Sequence, residues 1–384
     1  MSKVELIELC KRYGTEEDAV KNVMLDIKEN EVFSLLGPSG CGKTTTLRMI
    51  AGLQEPTSGE ILIDGKIVYS SARNICLPPA KRRIGLVFQS YALWPHMTVY
   101  ENVAFGLRSQ KPPLGEKKIH EIVMDTLARL RIAEYTKRYP AELSGGQQQR
   151  VSFARMLAFK PSLLLLDEPL SNLDAKLRLE MRSEIKRLPD QTGATIIYVT
   201  HDQQEAMAIS TRIAIMNRGE LQQVDTPEGL YYHPANIFVA GFIGNPKINL
   251  IPGETIAGDP ASGGFAVKVG GIVDLPPAAL NLPAEHTRLP KKVVLGVRPE
   301  DIEVATDAEP AAAGNRFNLG RYAVYAALPM AGETLLELQR EGISLVARCP
   351  AQSDYDPDQV VTLYTKRRLD VFDAESGRRL SSMV

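Results

Sequence analysis

Gly37-Pro38-Ser39-Gly40-Cys41-Gly42-Lys43-Thr44 follows a short, largely apolar run, Val32–Leu36, and precedes a helical run at residues 45–50. This order of strand, glycine-rich loop and helix is the one that the phosphate-loop pattern requires. The glycines let main-chain N–H groups surround the phosphates, and the helix start adds a positive dipole. Lys43 would reach the β- and γ-phosphates, and the Thr44 hydroxyl would bind Mg²⁺. A chance glycine-rich turn is the alternative, which the flanking strand and helix disfavour. We therefore predict nucleotide binding by these eight residues and Thr45.

A carboxylate for the metal ion follows a second apolar run, residues 163–166, which ends at Asp167 and Glu168. The carboxyl ends of strands are where α/β sheets place their ligands. Asp167 is the candidate Mg²⁺ ligand. Glu168 would face the attacking water and act as its general base or polariser. A solvated acid before Pro169 is the alternative for Glu168, and the neighbouring phosphate loop disfavours it.

Strands that alternate with helices are predicted over residues 1–235, which indicates a largely parallel sheet with helical cover. Short apolar or β-branched runs suit buried strands at residues 32–36, 163–166, 195–199 and 213–216. The spacing changes to a helical one at about residues 90–150, which we interpret as a helical insertion. One helix face there carries Ile119, Ile122, Val123, Leu127 and Leu130.

The last part of the chain, residues 236–384, has a different pattern. Glycine and proline become more frequent, and alternating runs occur at residues 265–269, 293–297 and 360–364 between turn signals. This pattern predicts a separate, β-rich, barrel-like domain. A cluster of alanine and proline at residues 307–315 is the expected internal loop.

Composition excludes several classes of protein. The 384 residues include 45 Lys and Arg against 46 Asp and Glu, so no global positive field exists to hold nucleic acid or acidic lipid. The four cysteines lack the paired spacing of a zinc site, and we interpret them as free thiols in a reducing cytoplasm. The N-terminus lacks the pattern of a signal peptide, and no run approaches the roughly 18 to 20 apolar residues of a membrane span. We therefore expect any membrane association to go through partner proteins.

A second anion site is indicated by Leu143-Ser144-Gly145-Gly146-Gln147, which precedes a helical run at residues 148–158. A serine hydroxyl and glycine N–H groups at a helix start can bind an anion, although a polar helix cap is the alternative. With the phosphate loop before it, this pentapeptide resembles the signature of the ABC ATPase family. The resemblance implies that this part of the chain folds as an α/β P-loop NTPase cassette with a helical subdomain.

The resemblance implies further site residues. Gln89 matches the Q-loop, where it would contact the metal and the catalytic site, and Leu173 and Asp174 match the D-loop. His201 matches the switch histidine, which would donate a hydrogen bond to the γ-phosphate. Tyr13 matches the aromatic position on which adenine stacks; an amphipathic residue at a strand end is the alternative. We assign Asp202 to helix capping, because Glu205 three residues later nearly completes a capping box.

The resemblance also implies partners. Two copies of such a chain pair head to tail, so that Ser144 and Gly146 of one copy cover the ATP held by Lys43 of the other. The helical insertion would bind two membrane permease subunits, with Trp94 and Met97 in the contact stretch. Simple core packing is the alternative for these two side chains.

The tail narrows the resemblance to sugar-importer ATPases. Residues 238–249 and 296–301 are similar to the junction and the all-β oligomer-binding-type (OB, or TOBE) barrel of the ATPases that serve maltose, oligosaccharide and glycerol-phosphate importers. This implies a peripheral protein on the cytoplasmic face of the bacterial inner membrane, coupled indirectly to an extracytoplasmic solute-binding protein. Polyamine, ferric-iron or oxyanion import remains an alternative. A soluble ABC ATPase of DNA repair or translation is the alternative of another class, and no basic insertion or long coiled coil supports it.

Overall fold

A computed structural model describes residues 2–14, 18–87, 92–110, 112–171, 173–257, 265–270, 273–282, 289–305, 316–351 and 354–380. The chain divides into two compact units, Met1–Pro227 and Glu228–Val384. Across the described ranges, no helix combines the length and the apolar character that a bilayer crossing requires.

The strands of the first unit lie before, between and after its helices. They are β1 (Ser2–Arg12), β2 (Asp18–Lys28), β3 (Val32–Leu36), β4 (Ser58–Ile63), β5 (Lys66–Ser70), β6 (Ile75–Cys76), β7 (Gly85–Val87), β8 (Leu163–Asp167), β9 (Thr195–Thr200), β10 (Arg212–Asn217) and β11 (Glu220–Asp225). The helices are α1 (Lys43–Ala51), α2 (Pro79–Arg82), α3 (Val99–Arg108), α4 (Glu116–Arg129), α5 (Gly145–Phe159), α6 (Ala175–Thr192) and α7 (Gln203–Ile209). Helix α8 (Pro227–Tyr232) begins at the boundary between the units.

A mainly parallel sheet forms the centre of this unit, with the order β11-β10-β3-β9-β8-β7 among the described strands. Only β11, at one edge, runs antiparallel to its neighbour. Every residue of β3, β8 and β9 is buried, as expected for parallel strands that are covered on both faces. The four buried strands predicted from apolar runs are confirmed, and the carboxyl ends of β3, β8 and β9 meet at one edge.

A second, antiparallel sheet with the order β2-β1-β4-β5-β6 was not predicted. The alternation of strands and helices expected over residues 1–235 is wrong there, because β1 and β2 follow each other directly. In β1 the buried positions Val4 and Leu6 are followed by Leu9 rather than by residue 8, since Glu8 has a φ of 46° and the pairing shifts register. A bulge of this kind breaks the period of two by which strands are recognised.

The predicted helical insertion is formed by α3, α4 and short 3₁₀ turns before α5. Ile119, Val123 and Leu127 are fully buried on one face of α4, whereas Ile122 is half-buried against the same core. Leu130 is buried one residue after the helix ends. The predicted apolar face is therefore confirmed.

The second unit consists mainly of two antiparallel sheets. Its described strands are β12 (Asn249–Ala257), β13 (Phe265–Val269), β14 (Val273–Leu275), β15 (Lys292–Val297), β16 (Ile302–Ala305), β17 (Phe317–Met330), β18 (Glu333–Arg340), β19 (Ile343–Pro350), β20 (Val360–Thr365) and β21 (Asp370–Asp373), preceded by α9 (Ile237–Phe242). The sheet orders are β14-β13-β12-β15-β21 and β16-β20-β17-β18-β19. The buried Asn249 amide joins the sheets, because it donates to Val297 O and Val346 O and accepts from Val346 N. The predicted β-rich character is confirmed, and the predicted loop at 307–315 lies outside the described residues.

Candidate functional site

The phosphate loop is held tightly between β3 and α1. A Cβ at Gly37 would lie 2.2 Å from Met216 O, and a Cβ at Gly42 would lie 2.4 Å from Ala19 O. Gly42 also has a φ of 102°, a left-handed conformation that side chains disfavour. Only glycine fits at these two positions, so the path of the loop depends on them. Pro38, Ser39 and Gly40 are exposed along the loop, and Thr45 is half-buried.

Lys43 is the first residue of α1, and its side chain is folded into the loop. Its ammonium donates to Gly37 O at 2.7 Å and to Pro38 O at 2.8 Å, and the residue is 5% exposed. The positive charge therefore lies inside the curve of main-chain groups where the pattern places the phosphates. Cys41 is buried beside it, with Sγ 3.7 Å from the ammonium. Burial raises the pKa of the Cys41 thiol although Lys43 opposes this effect, which fits a small packed residue rather than a nucleophile.

Thr44 and Asp167 are 123 residues apart in sequence, and the structure brings them together. The Thr44 hydroxyl donates to Asp167 Oδ1 at 3.0 Å, where the carboxyl end of β8 faces the start of α1. Asp167 is 4% exposed, and burial raises its pKa although the hydrogen bond from Thr44 lowers it. A hydroxyl and a carboxylate are the hard oxygen ligands that Mg²⁺ prefers. The pair thus fits a Mg²⁺ ion bound next to the phosphates.

Glu168 and His201 lie at the ends of the neighbouring strands β8 and β9. Glu168 Oε1 is 3.0 Å from His201 Nδ1, and Glu168 N donates to Val199 O at 3.0 Å. Glu168 has a φ of 46°, a left-handed conformation that is unfavourable for a residue with a side chain. The His201 side chain is 57% exposed and can reach a ligand at the sheet edge.

The pentapeptide at residues 143–147 forms the start of α5. Ser144 caps this helix in a reciprocal capping box, in which Ser144 N donates to Gln147 Oε1 at 2.9 Å. Leu143 is buried, whereas Ser144 and Gly145 are exposed. Ser144, Gly145, Gly146 and Gln147 line a cleft of about 580 Å³, which is the size of a ligand site.

This cleft also contains residues from two neighbouring segments. Arg131 and Arg150 contribute positive charge, and Asp174, which caps α6 by accepting from Leu177 N at 2.9 Å, lies at its side. Leu173 is buried next to Asp174. Among the described residues that line the cleft, none belongs to the phosphate loop. The cleft and the phosphate loop of one chain are therefore separate.

The remaining predicted site residues differ in how far the structure describes them. Tyr13 is 49% exposed, accepts a hydrogen bond from Gln54 Nε2 and has the Lys11 ammonium 5.2 Å from its ring centre. An exposed ring of this kind is available for stacking. Gln89 lies outside the described residues, as does Asn172, which directly precedes the D-loop residues Leu173 and Asp174.

Trp94 is half-buried rather than free on the surface. Its ring lies 4.5 Å from that of Phe105 and 4.9 Å from the Arg155 guanidinium. Its main chain is held by Asn102, which accepts from Trp94 N and donates to Trp94 O and Met97 O. Trp94 therefore packs on one side, as the core-packing interpretation predicts, while Phe105 beside it is 44% exposed. Contact of Trp94 with a permease subunit stays a prediction.

Asp202 caps α7, as predicted, by accepting from Gln204 N and Glu205 N. The reciprocal arm of a capping box is absent from these two residues, because the Glu205 carboxylate accepts from Tyr198 and Thr200 instead. Glu205 is 4% exposed. The sequence analysis treated it only as a capping residue and missed its burial and its hydrogen bond from Thr200, which directly precedes His201. A glutamate on the apolar side of a helix was the signal that could have revealed it.

The chain matches two family models. Residues 20–171 match the ABC transporter family, and residues 244–302 match the MalK OB fold domain. The predicted fold class, an α/β P-loop cassette with a helical subdomain followed by an OB-type domain, is confirmed.

Similar proteins extend over nearly the whole chain. The trehalose/maltose import ATP-binding protein MalK of Thermococcus litoralis is 44% identical over 382 residues, 99% of this chain and 100% of the relative. The xylose/arabinose import ATP-binding protein XacJ of Haloferax volcanii is 42% identical, with 98% and 95% covered. The sn-glycerol-3-phosphate import ATP-binding protein UgpC 3 of Agrobacterium fabrum is 40% identical, with 99% and 100% covered.

Solved structures match the first part of the chain. A dimeric post-hydrolysis state of the ATP-binding cassette MJ0796 bound to ADP and phosphate has a TM-score of 0.53 and 34% identity, covering 58% of this chain and 98% of that cassette. The cbiO1 subunit of the cbiONQ transporter complex from Clostridium perfringens has a TM-score of 0.54 and 30% identity, covering 60% and 90%.

Proposed function

Because this chain belongs to the ABC transporter family, we propose that it is the ATP-hydrolysing subunit that powers import of sugars or sugar derivatives. The observation that carries the sugar class is similarity over the full length, OB-type domain included, to relatives named for trehalose/maltose, xylose/arabinose and glycerol-3-phosphate import. In this proposal residues 1–235 are the ATP-binding cassette, with a helical insertion at about 90–150, and residues 236–384 are an OB-type regulatory domain.

The proposed hydrolytic site consists of the groups at the carboxyl ends of β3, β8 and β9. The phosphate loop and Lys43 bind the β- and γ-phosphates of ATP, with Tyr13 under the adenine. Thr44 and Asp167 would hold Mg²⁺ with Gln89, and a bound Mg²⁺ would offset negative charge that develops on the phosphates. Glu168 accepts a proton from, or polarises, the attacking water.

His201 has a further constraint, which follows from its contact with Glu168. A neutral imidazole that donates from Nδ1 to Glu168 has only an acceptor at Nε2. To donate to Glu168 and to a γ-phosphate together, the ring must be an imidazolium. Otherwise a protonated Glu168 must donate to Nδ1, or the contact with Glu168 must break when ATP binds. The hydrogen bond between His201 and Glu168 therefore depends on which of the two groups carries the proton.

The proposed working unit is a head-to-tail dimer. The cleft at Ser144 and Gly146 is separate from the phosphate loop of its own chain, and a second copy would place it over the ATP held by Lys43. A dimeric cassette bound to ADP and phosphate among the similar structures supports this arrangement. Two permease subunits, contacted by the helical insertion near Trp94 and Met97, would place the protein on the cytoplasmic face of the bacterial inner membrane. A solute-binding protein would act on it only indirectly.

Uptake assays in a deletion strain test the sugar class. Three strains are compared, which carry the wild-type gene, no gene, or the Glu168→Gln variant. The variant strain shows whether uptake requires ATP hydrolysis or only the presence of the protein. We expect loss of uptake of one carbohydrate in the last two strains. Normal carbohydrate uptake with loss of polyamine, ferric-iron or oxyanion import would contradict the proposal. Reproducible nucleic-acid binding without copurifying permeases would instead favour the soluble class of ABC ATPase.

A further inference from the structure

A buried cluster of charged and hydroxyl side chains lies beside the proposed hydrolytic site. Its centre is the Glu205 carboxylate, which is 4% exposed. Tyr198 Oη donates to Glu205 Oε2 at 2.8 Å, and Thr200 Oγ1 donates to the same oxygen at 2.9 Å. Burial raises the pKa of Tyr198 well above its ordinary value, so this phenol stays a donor. Two hydroxyls therefore fix one oxygen of Glu205 in place.

The other oxygen of Glu205 faces two arginines from α6. Oε1 is 3.8 Å from Arg182 Nη2 and 3.9 Å from Arg178 Nε. Arg182 Nη2 also lies 3.4 Å from Asp202 Oδ2. Two guanidiniums thus face two carboxylates, with Glu205 and Arg182 largely buried and Arg178 and Asp202 about one-third exposed. A charge removed from such a group leaves the others uncompensated.

The cluster contacts two loops that the proposed function uses. On one side Thr200 directly precedes His201, and its hydroxyl also accepts from Asp202 N at 3.0 Å. On the other side Arg178 Nη2 donates to Leu173 O at 3.0 Å, in the predicted D-loop. Thr200 therefore links Glu205 to the His201 segment, and Arg178 links Glu205 to the D-loop.

We propose that Glu205, Arg178 and Arg182 are positioning residues that hold the D-loop and the His201 segment as one rigid element. Displacement of the D-loop, which lies beside the cleft that a second copy would cover, then moves His201 relative to Glu168. This inference rests on the proposed ATPase function. Through this rigid element, contact between two copies would change the position of His201 relative to Glu168, although the three positioning residues do not contact ATP themselves.

The test compares steady-state ATP hydrolysis, nucleotide affinity and thermal unfolding of the full-length protein with Mg²⁺ and ATP. Glu205→Gln keeps the shape and one acceptor oxygen but removes the charge that faces the arginines. Arg178→Met removes the link to Leu173, and Arg178→Lys keeps its charge. Matched controls are Glu184→Gln and Arg187→Met, since both residues are exposed on α6.

We expect kcat to fall about 10- to 100-fold in E205Q and R178M, with ATP affinity within about twofold of wild type, because a small misplacement of reacting groups has this effect on rate. R178K should recover part of the rate, and the two controls should behave as wild type. The R178M/E205Q double variant should lose no more than the worse single variant, since the residues act as a unit.

Three results would overturn the inference. They are unchanged kcat in E205Q and R178M, a parallel fall of affinity and kcat that R178K does not reverse, and additive losses in the double variant. If E205Q does not fold, the half-exposed Arg178 supplies the decisive variants. A wild-type protein without ATPase activity would contradict the proposed function itself, so the two failures are distinguishable.

Discussion

Replacement of Arg82 by methionine should destabilise the N-terminal unit strongly, although none of its hydrogen bonds within the described ranges goes to a predicted site residue. Arg82 is 4% exposed at the end of α2. Its Nη1 donates to Met49 O and Ile50 O, each at 2.8 Å, and its Nε donates to Leu77 O at 2.9 Å. Met49 and Ile50 lie in the last turn of α1, where carbonyls have no partner within the helix. A buried cation therefore caps the helix that begins with Lys43.

The size of the effect follows from these contacts. A hydrogen bond from a charged donor contributes roughly 1.5 to 3 kcal/mol, which gives at least about 4.5 kcal/mol for the three bonds. Two effects reduce this value. Burial lowers the pKa of the Arg82 guanidinium, which shows that the buried charge is itself unfavourable, and methionine removes this cost. Met49 O also keeps the Gly52 amide as a donor at 3.1 Å. We expect a net loss of about 3 kcal/mol.

Thermal unfolding followed by tryptophan fluorescence measures this loss, because Trp94 is the only tryptophan and lies in the first unit. For a unit of this size about 3 kcal/mol corresponds to a fall in Tm of roughly 10 °C. Arg83→Met is the matched control, since Arg83 is the exposed neighbour, and its Tm should stay near that of wild type. A loss below about 1 kcal/mol for Arg82→Met, or one equal to that of Arg83→Met, would refute the reasoning.

Three further predictions concern the proposed ATP site. Glu168→Gln should lower ATP turnover about 100-fold or more and leave an ATP-bound dimer on size-exclusion chromatography; turnover at the wild-type rate would show that Glu168 is not the base. Lys43→Ala should weaken ATP binding about 100-fold or more, since it removes the ammonium held at Gly37 O and Pro38 O, and equal affinity by calorimetry would contradict the role of the loop. Burial raises the pKa of Asp167 above 3.8, so the folded chain binds a proton at this carboxylate more tightly than the unfolded chain does. The folded chain therefore loses stability as the pH rises from the pKa of the unfolded chain through that of the folded chain. Asp167→Asn should therefore raise the Tm of the metal-free protein at about pH 7, and the gain should vanish below about pH 4; a gain that is independent of pH would exclude this cause.

The parts of the fold that the sequence predicted well are those with a local pattern. The predicted strand 32–36 has the bounds of β3, and the run 163–166 falls one residue short of β8, because strands covered on both faces are continuous apolar runs. The antiparallel sheet was missed since its strands are half-buried and its alternation is interrupted at Glu8. A pattern of period two cannot be followed across a bulge.

In the candidate site, too, residues with a local sequence motif were predicted and residues without one were not. Motifs indicated Lys43, Asp167 and Glu168 individually, and the common edge of a parallel sheet explains why they meet. The Glu205 cluster has no such motif, because Arg178 and Glu205 belong to helices separated by β9 in the chain. Arg82 likewise reaches carbonyls more than 30 residues away in sequence. Contacts between distant side chains depend on tertiary packing, which no local pattern encodes.

The left-handed backbone of Glu168 has a consequence for how such chains evolve. A glutamate with a φ of 46° is less favourable for folding than glycine at the same position would be. Substitutions that relieve such strain are readily available to proteins, and their usual cost is the function that the strained residue supports. In a gene copy that no longer needs ATP hydrolysis, we expect Glu168 to drift toward glycine or asparagine early. Under the proposed role of Glu168, an intact glutamate here would mark continuing selection for turnover, and its loss would indicate a cassette that only binds nucleotide.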